Sequence, residues 1–120
     1  MKISRLLVIG LLVSATSPAM AQINPFQGTR TGLTQRDVSM LSASISRLNR
    51  TNDLAVGAQD SWSNPSSHSS GQNTVTRIYQ DDGLSCHGMR HEFTVKGRKP
   101  PRVYNLNWCQ ASDGSWKIHS

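Results

Sequence analysis

The sequence predicts an α+β fold: one N-terminal amphipathic helix packed on a four- to five-stranded antiparallel sheet, with one disulfide. Three observations predict it. One segment in the first half of the chain has apolar residues at helical spacing. It is followed by runs rich in β-branched and aromatic residues, which Gly, Pro and Asp-Gly turn signals separate. Two cysteines, Cys86 and Cys109, lie in two of these runs.

The helix is predicted over residues 34–50. Thr34 can cap its first turn, and Asp37 stands three residues later, where a capping box has its acid. We interpret the apolar stripe of this helix as a face that packs on the sheet; a partner-binding helix is the alternative. The stripe consists of Val38, Leu41, Ile45 and Leu48.

The strands follow in sequence and are expected to be antiparallel, because short turn signals join them. Residues 58–62 can form a short strand, and residues 61–71, with six serines, are predicted to be an exposed loop. The remaining strands are predicted over residues 73–80, 84–96, 102–110 and 116–118, with turns at Asp82-Gly83, around Gly97 and at Asp113-Gly114.

The start of the chain predicts export. Residues 1–21 have the three parts of a secretory signal peptide: a basic start (Lys2, Arg5), a short apolar stretch (residues 6–13) and the cleavage site Ala19-Met20-Ala21. Cleavage before Gln22 removes 21 of 120 residues and leaves 99, and the loss of Lys2 and Arg5 lowers the net charge from +6 to +4. Residues 22–33, without periodicity, are predicted to be a flexible arm, and residues 34–120 a single domain.

A disulfide between Cys86 and Cys109 is expected, because an even number of cysteines in an exported chain usually pairs. A metal or redox pair fits poorly, since the chain has no C-x-x-C. If the two cysteines face each other in a hairpin, the turn is centred between Gly97 and Arg98, and a bulge near Pro100-Pro101 would disturb this count. The same register places His87 opposite Trp108, Met89 opposite Leu106 and His91 opposite Tyr104, on the sheet face opposite the disulfide.

Several short motifs resemble the C-terminal domain of the bacterial 17 kDa outer-membrane surface antigen family. The motifs are Trp62-Ser63-Asn64-Pro65, Gly71, Cys86, Trp108-Cys109 and residues 113–118, in this order. The chain differs from the better-known members, since it has no lipid-attachment cysteine and no glycine-rich zipper. It also has His87 and Gln110 where an Arg commonly follows each cysteine. The resemblance implies a location in the cell envelope and no particular reaction.

The motif residues are interpreted as structural. Asn64 and Pro65, which follow Trp62, would set one turn, and Asp113-Gly114, which precede Trp116, would supply the backbone freedom of another. His68 stands near a position where the family tends to have Gly, so a positive φ there would strain it. The three tryptophans, Trp62, Trp108 and Trp116, are expected to be buried beside the disulfide and under the helix.

A basic hairpin tip is the candidate binding site. Lys96, Arg98, Lys99 and Arg102 concentrate positive charge there, and Pro100-Pro101 stiffens it. Such a tip can bind phosphates or carboxylates of the envelope or an acidic protein. The alternative is a solvated tip that keeps the protein soluble and blocks edge pairing.

Catalytic and metal chemistry find little support. Glu92 is the only glutamate, and no serine stands in a G-x-S-x-G or S-x-x-K motif. His87 and His91, four residues apart on one strand, would be about 13 Å apart, too far to share a metal on a straight strand. We therefore predict no catalytic residues, no metal and no cofactor.

The sequence thus predicts a non-enzymatic exported protein that binds an envelope component or partner. We expect it in the periplasm, with association with the outer membrane or a location on the cell surface as the alternatives. Peripheral contact with a membrane is compatible with this prediction, and no nucleic-acid partner is expected. The alternative is a structural or assembly accessory of an outer-membrane complex, and a small enzyme or metal-binding protein is third.

Overall fold

One helix packs on a five-stranded antiparallel sheet in the computed structural model, which describes residues 25–26 and 30–119. This confirms the α+β prediction. The predicted signal peptide lies outside the described residues, so the helix is first only among the described elements. The elements are α1 (Gln35–Asn49), β1 (Gln59–Asn64), β2 (Ser69–Asp81), β3 (Leu84–Val95), β4 (Arg98–Gln110) and β5 (Trp116–Ile118), and the strands are ordered β1-β2-β3-β4-β5 in the sheet.

Helix α1 has the predicted capping box. The Thr34 hydroxyl accepts a hydrogen bond from the Asp37 N–H at 3.1 Å, and the Asp37 carboxylate accepts one from the Thr34 N–H at 2.9 Å. The predicted stripe is buried, as the sheet-packing interpretation requires, and the helix lies mainly against β1 and β2. In the part of the chain that the structure describes, no helix combines the length and the apolar character needed to cross a membrane.

The first hairpin corrects the predicted loop over residues 61–71. Strands β1 and β2 pair through most of this segment, and only residues 65–68 form the tip. The serines are compatible with strands because Trp62, buried across from Gly71, supplies the apolar packing that they lack. A Cβ on Gly71 would lie 2.5 Å from Trp62 Nε1, so the close approach of the indole requires glycine here.

The β3–β4 hairpin has the predicted register. Cys86 pairs with Cys109 and forms the disulfide, and all three predicted cross-strand pairs are present: His87 with Trp108, Met89 with Leu106 and His91 with Tyr104. A register shift between Phe93 and Val95, opposite the two prolines, moves the turn to Lys96-Gly97, one residue before the predicted centre. Strand β4 also begins at Arg98 rather than Arg102.

The hydrophobic core lies between α1 and the inner face of the sheet. It includes Phe26 and Leu33 from the predicted flexible arm, both buried. The Phe26 ring makes edge contacts with His91 (5.4 Å between centroids), Phe93 (6.1 Å) and Tyr104 (5.4 Å). The described part of the arm, Pro25–Phe26 and residues 30–33, therefore packs on the domain; the rest of it lies outside the described residues.

Candidate functional site

A basic groove lies at the tip of the β3–β4 hairpin. The turn residues Lys96 and Gly97 have φ values of 52° and 69°, the conformation of a tight hairpin turn. The Ser69 hydroxyl accepts a hydrogen bond from the Lys96 N–H at 3.0 Å, which ties the turn to strand β2. The groove has a volume of about 400 Å³ and contains all four predicted basic residues in its lining: Lys96, Arg98, Lys99 and Arg102.

The opposite wall of this groove comes from the arm. Thr31 and Gly32 line it, and the Arg102 guanidinium donates a hydrogen bond to the Arg30 carbonyl at 2.5 Å. Phe26 and Leu33, buried on either side of this short stretch, hold the wall in place. The sequence did not predict this wall, because a segment without periodicity carries no signal that two isolated apolar residues will be buried.

The charges of the groove are unopposed within the described residues. The four basic side chains are exposed, and the ion pairs formed by the described residues lie elsewhere, at Arg47–Asp60, Arg90–Glu92 and His119–Asp81. The groove lining that the structure describes contains no carboxylate. The arrangement can therefore accept an anionic group between several exposed donors.

The first motif of the resemblance ties the helix to the β1–β2 hairpin. The Asp37 carboxylate accepts hydrogen bonds from Asn64 Nδ2 at 2.7 Å and from Ser67 Oγ at 2.6 Å. Burial raises the pKa of Asp37, but the hydrogen bonds from Ser67, Thr34 and Asn64 lower it by more, so the pKa lies below its usual value. Pro65 follows at the exposed tip, and His68 has a φ of 60°, the positive value considered from the resemblance.

The second motif forms the turn before β5. Asp113 accepts hydrogen bonds from the Ser115 N–H (3.0 Å) and hydroxyl (2.6 Å), and Gly114 has a φ of 86°. Trp116 then pairs with Gln110 and stacks on the His87 ring at 4.2 Å. Burial of the tryptophans is confirmed fully only for Trp62, because Trp108 and Trp116 are half-buried.

A chain of hydrogen bonds crosses the core, which the sequence did not predict. The direction of each bond follows from its end at Trp108, because the indole N–H can only donate. Trp108 Nε1 donates to His91 Nε2 (3.1 Å), so His91 Nδ1 carries the proton and donates to Asn73 Oδ1 (2.7 Å). The chain continues from Asn73 Nδ2 to Ser44 Oγ (2.8 Å) and from Ser44 to Asp60 Oδ1 (2.6 Å), which also accepts from Arg47 (2.7 Å).

The two strand histidines are parts of the core. His91 is fully buried, and burial lowers its pKa to about 4. Burial also lowers the pKa of His87, whose Nδ1 lies 2.7 Å from Asn49 Oδ1. Within residues 25–26 and 30–119, no group of three or more His, Cys, Asp or Glu side chains is placed to hold a metal ion.

A comparison with known protein families, with curated proteins and with solved structures finds no match for this chain. The resemblance to the surface antigens therefore stays a prediction that rests on the motifs alone.

Proposed function

We propose that this is an exported, non-enzymatic protein that binds an anionic component of the cell envelope in the groove at the β3–β4 tip. The observation that carries the proposal is the convergence of Lys96, Arg98, Lys99 and Arg102 on one groove of about 400 Å³. The disulfide between Cys86 and Cys109 is consistent with export, because such bonds persist in oxidising compartments.

The shape of the tip favours binding over a merely solvated surface. A tip whose charges only keep the protein soluble needs no second wall, but Thr31 and Gly32 close this groove on one side. Arginine guanidinium groups also suit phosphate and carboxylate oxygens, because their fork geometry allows two parallel hydrogen bonds. A phosphate-bearing surface, such as the headgroup layer of a membrane, fits this arrangement.

Binding to vesicles tests the proposal. The mature protein should co-sediment with vesicles that contain an anionic phospholipid and not with neutral phosphatidylcholine vesicles, and added salt should weaken the binding. Each basic residue near an anionic membrane contributes about 1 kcal/mol. The double substitution R98Q/K99Q should therefore weaken binding about thirtyfold.

A matched control is R36Q/K117Q, which removes the same charge from exposed positions outside the groove. This variant should retain most of the binding. Equal losses in both variants would mean that only the net charge matters, and an absence of binding to anionic vesicles would contradict the proposal.

Export has its own test. When the full chain is produced with its N-terminal segment in a bacterium, the protein recovered from outside the cytoplasm should begin at Gln22, as an intact mass measurement would detect. It should also contain no free thiol under non-reducing conditions. A mature protein that retains Met1 would contradict the predicted signal peptide.

A further inference from the structure

A second groove lies at the other end of the sheet, between the C-terminal half of α1 and strands β4 and β5. It has a volume of about 300 Å³, at the lower end of the range of about 300–1,000 Å³ that is typical of ligand sites. It therefore has room for one small ring. Its lining combines aromatic and polar side chains, among them Ser46, Asn49, Arg50, Trp108 and Trp116.

The two indole rings of this groove are held in place by buried partners. Trp116 stacks on His87 with an angle of 18° between the rings, and the His87 ring is anchored by its hydrogen bond to Asn49. Trp108 is anchored by its hydrogen bond to His91. Both indoles are partly exposed, so the groove offers rigid aromatic surface that needs little ordering when a ligand binds.

The polar rim of the groove has unused donors. The hydrogen bond with His87 occupies Asn49 Oδ1, and the Asn49 amide nitrogen has no hydrogen-bond partner among the described residues. Arg50 is exposed and is the one charged residue in the described lining of the groove. The carbonyls of Ser46 and Leu48 at the end of α1 accept hydrogen bonds from the Arg50 and Thr51 N–H groups, which reduces the negative potential of the helix end.

We propose that this groove binds a single pyranose ring of a glycan and prefers a sugar that carries a carboxylate. A sugar ring has an apolar C–H face that can pack on an indole, and its hydroxyls can accept from an amide and a guanidinium on the rim. A carboxylate on the ring would interact with Arg50, and the described residues of the lining include no acid that would oppose it.

This site is separate from the basic groove at the hairpin tip. Arg102 and Trp108 are six residues apart on β4, which corresponds to about 20 Å along a strand. Variants of one groove should therefore leave the other intact. The sugar site does not depend on the function proposed for the hairpin tip.

Tryptophan fluorescence tests the sugar site, because two of the three tryptophans line it and the third, Trp62, is buried elsewhere. Glucuronic acid, the acidic probe, should change the emission of the mature protein saturably. Glucose, the neutral probe, should bind about tenfold more weakly, since one hydrogen bond to a charged group is worth about this factor.

Four variants make the test specific. R50Q should remove the preference for glucuronic acid, whereas R36Q, at the other end of the same helix, should keep it. Ser46→Tyr should abolish the response to both sugars by filling the groove, and circular dichroism should confirm that it folds. The R98Q/K99Q variant should leave the sugar titrations unchanged.

The proposal is overturned if neither sugar gives a saturable change, or if Ser46→Tyr leaves the response intact. Equal binding of the two sugars by the wild-type protein would overturn the preference for a carboxylate, as would equal effects of R50Q and R36Q.

Discussion

A single carboxylate, that of Asp37, joins the start of the helix to the first hairpin. It is fully buried and has no cationic partner among the described residues, yet hydrogen bonds from Thr34, Asn64 and Ser67 keep its pKa below the usual value. Its place in the first helical turn is also favourable for a negative charge. Asn64, the Asn of the Trp-x-Asn-Pro motif, thus hydrogen-bonds both to the backbone of its own turn and to the buried Asp37 carboxylate.

Substitution of Asn64 by Ala should destabilise the protein by about 1–3 kcal/mol, the cost of leaving a buried charged group with one partner fewer. Asn64 Oδ1 also accepts a hydrogen bond from the Ser66 N–H at 3.1 Å, which the variant loses. Urea denaturation followed by circular dichroism measures the change. The control Asn52→Ala, at an exposed position, should cost much less; similar losses in both variants would contradict the role of Asn64.

Gly71 is the second residue on which the first hairpin depends. An added Cβ would lie 2.8 Å from the Glu92 carbonyl oxygen and 2.9 Å from Phe93 Cβ, in addition to its contact with the Trp62 indole. Because two of these neighbours cannot rotate away, Gly71→Ala should destabilise the protein by about 1–3 kcal/mol. Thermal denaturation should show a lower midpoint for this variant than for the wild-type protein. The control is Ser70→Ala, at the exposed neighbouring position. Equal midpoints for the two variants would argue against the clash.

At the scale of elements, the parts that the sequence predicted correctly depend on local chemistry. The capping box, the Asp82-Gly83 turn and the β3–β4 register follow from residue types at fixed short spacings. The turn at Lys96-Gly97 differs by one residue because the bulge beside Pro100-Pro101 shifts the pairing.

The parts that were not predicted depend on tertiary contacts. The serine-rich β1–β2 hairpin is stabilised by Trp62 over Gly71, a contact across strands of weak propensity. The burial of Phe26 depends on aromatic partners far along the chain. For the candidate site, the charges could be identified from sequence, but the wall formed by Thr31 and Gly32 could not.

The disulfide should stabilise the β3–β4 hairpin and the whole domain. It joins cysteines separated by 23 residues in sequence, and closing a loop of this length is worth about 3 kcal/mol in the chain-entropy description. The double variant Cys86→Ala/Cys109→Ala should lose about this amount of unfolding free energy in urea. An unchanged denaturation midpoint would show that the strand pairing alone holds the hairpin.

At the scale of the whole molecule, the buried hydrogen-bond chain connects the helix to four strands. It begins at the exposed Arg47–Asp60 pair, passes through Ser44 and Asn73, and ends at His91 and Trp108. From the other end, Trp108 donates to His91 and each group in turn donates towards the Asp60 carboxylate, which also accepts from Arg47. This order requires a neutral His91, because its Nε2 must accept the bond from the indole. The chain also ends at a tryptophan of the proposed sugar groove, so the orientation of that indole depends on the protonation state of His91.

The stability of the protein should therefore fall as the pH is lowered from 7 to 4. His91 has a pKa of about 4 in the folded protein and an ordinary value of 6.5, so between these values the unfolded chain takes up a proton that the folded protein excludes. The stabilisation is complete above pH 6.5 and is lost as the pH falls towards 4, by up to about 3 kcal/mol. Burial also lowers the pKa of His87, so this residue likewise makes the folded protein less stable as the pH falls.

Urea denaturation at several pH values between 7 and 4 measures this dependence. The variant His91→Gln should be less stable at pH 7, because it loses the buried ring that packs against Phe26 and Trp108. Its stability should change much less with pH, since an amide does not titrate in this range. The control His68→Asn, at the exposed hairpin tip where Asn tolerates the positive φ, should keep the wild-type slope. If His91→Gln lost stability as steeply as the wild type, the buried histidine would not be the group that links folding to pH.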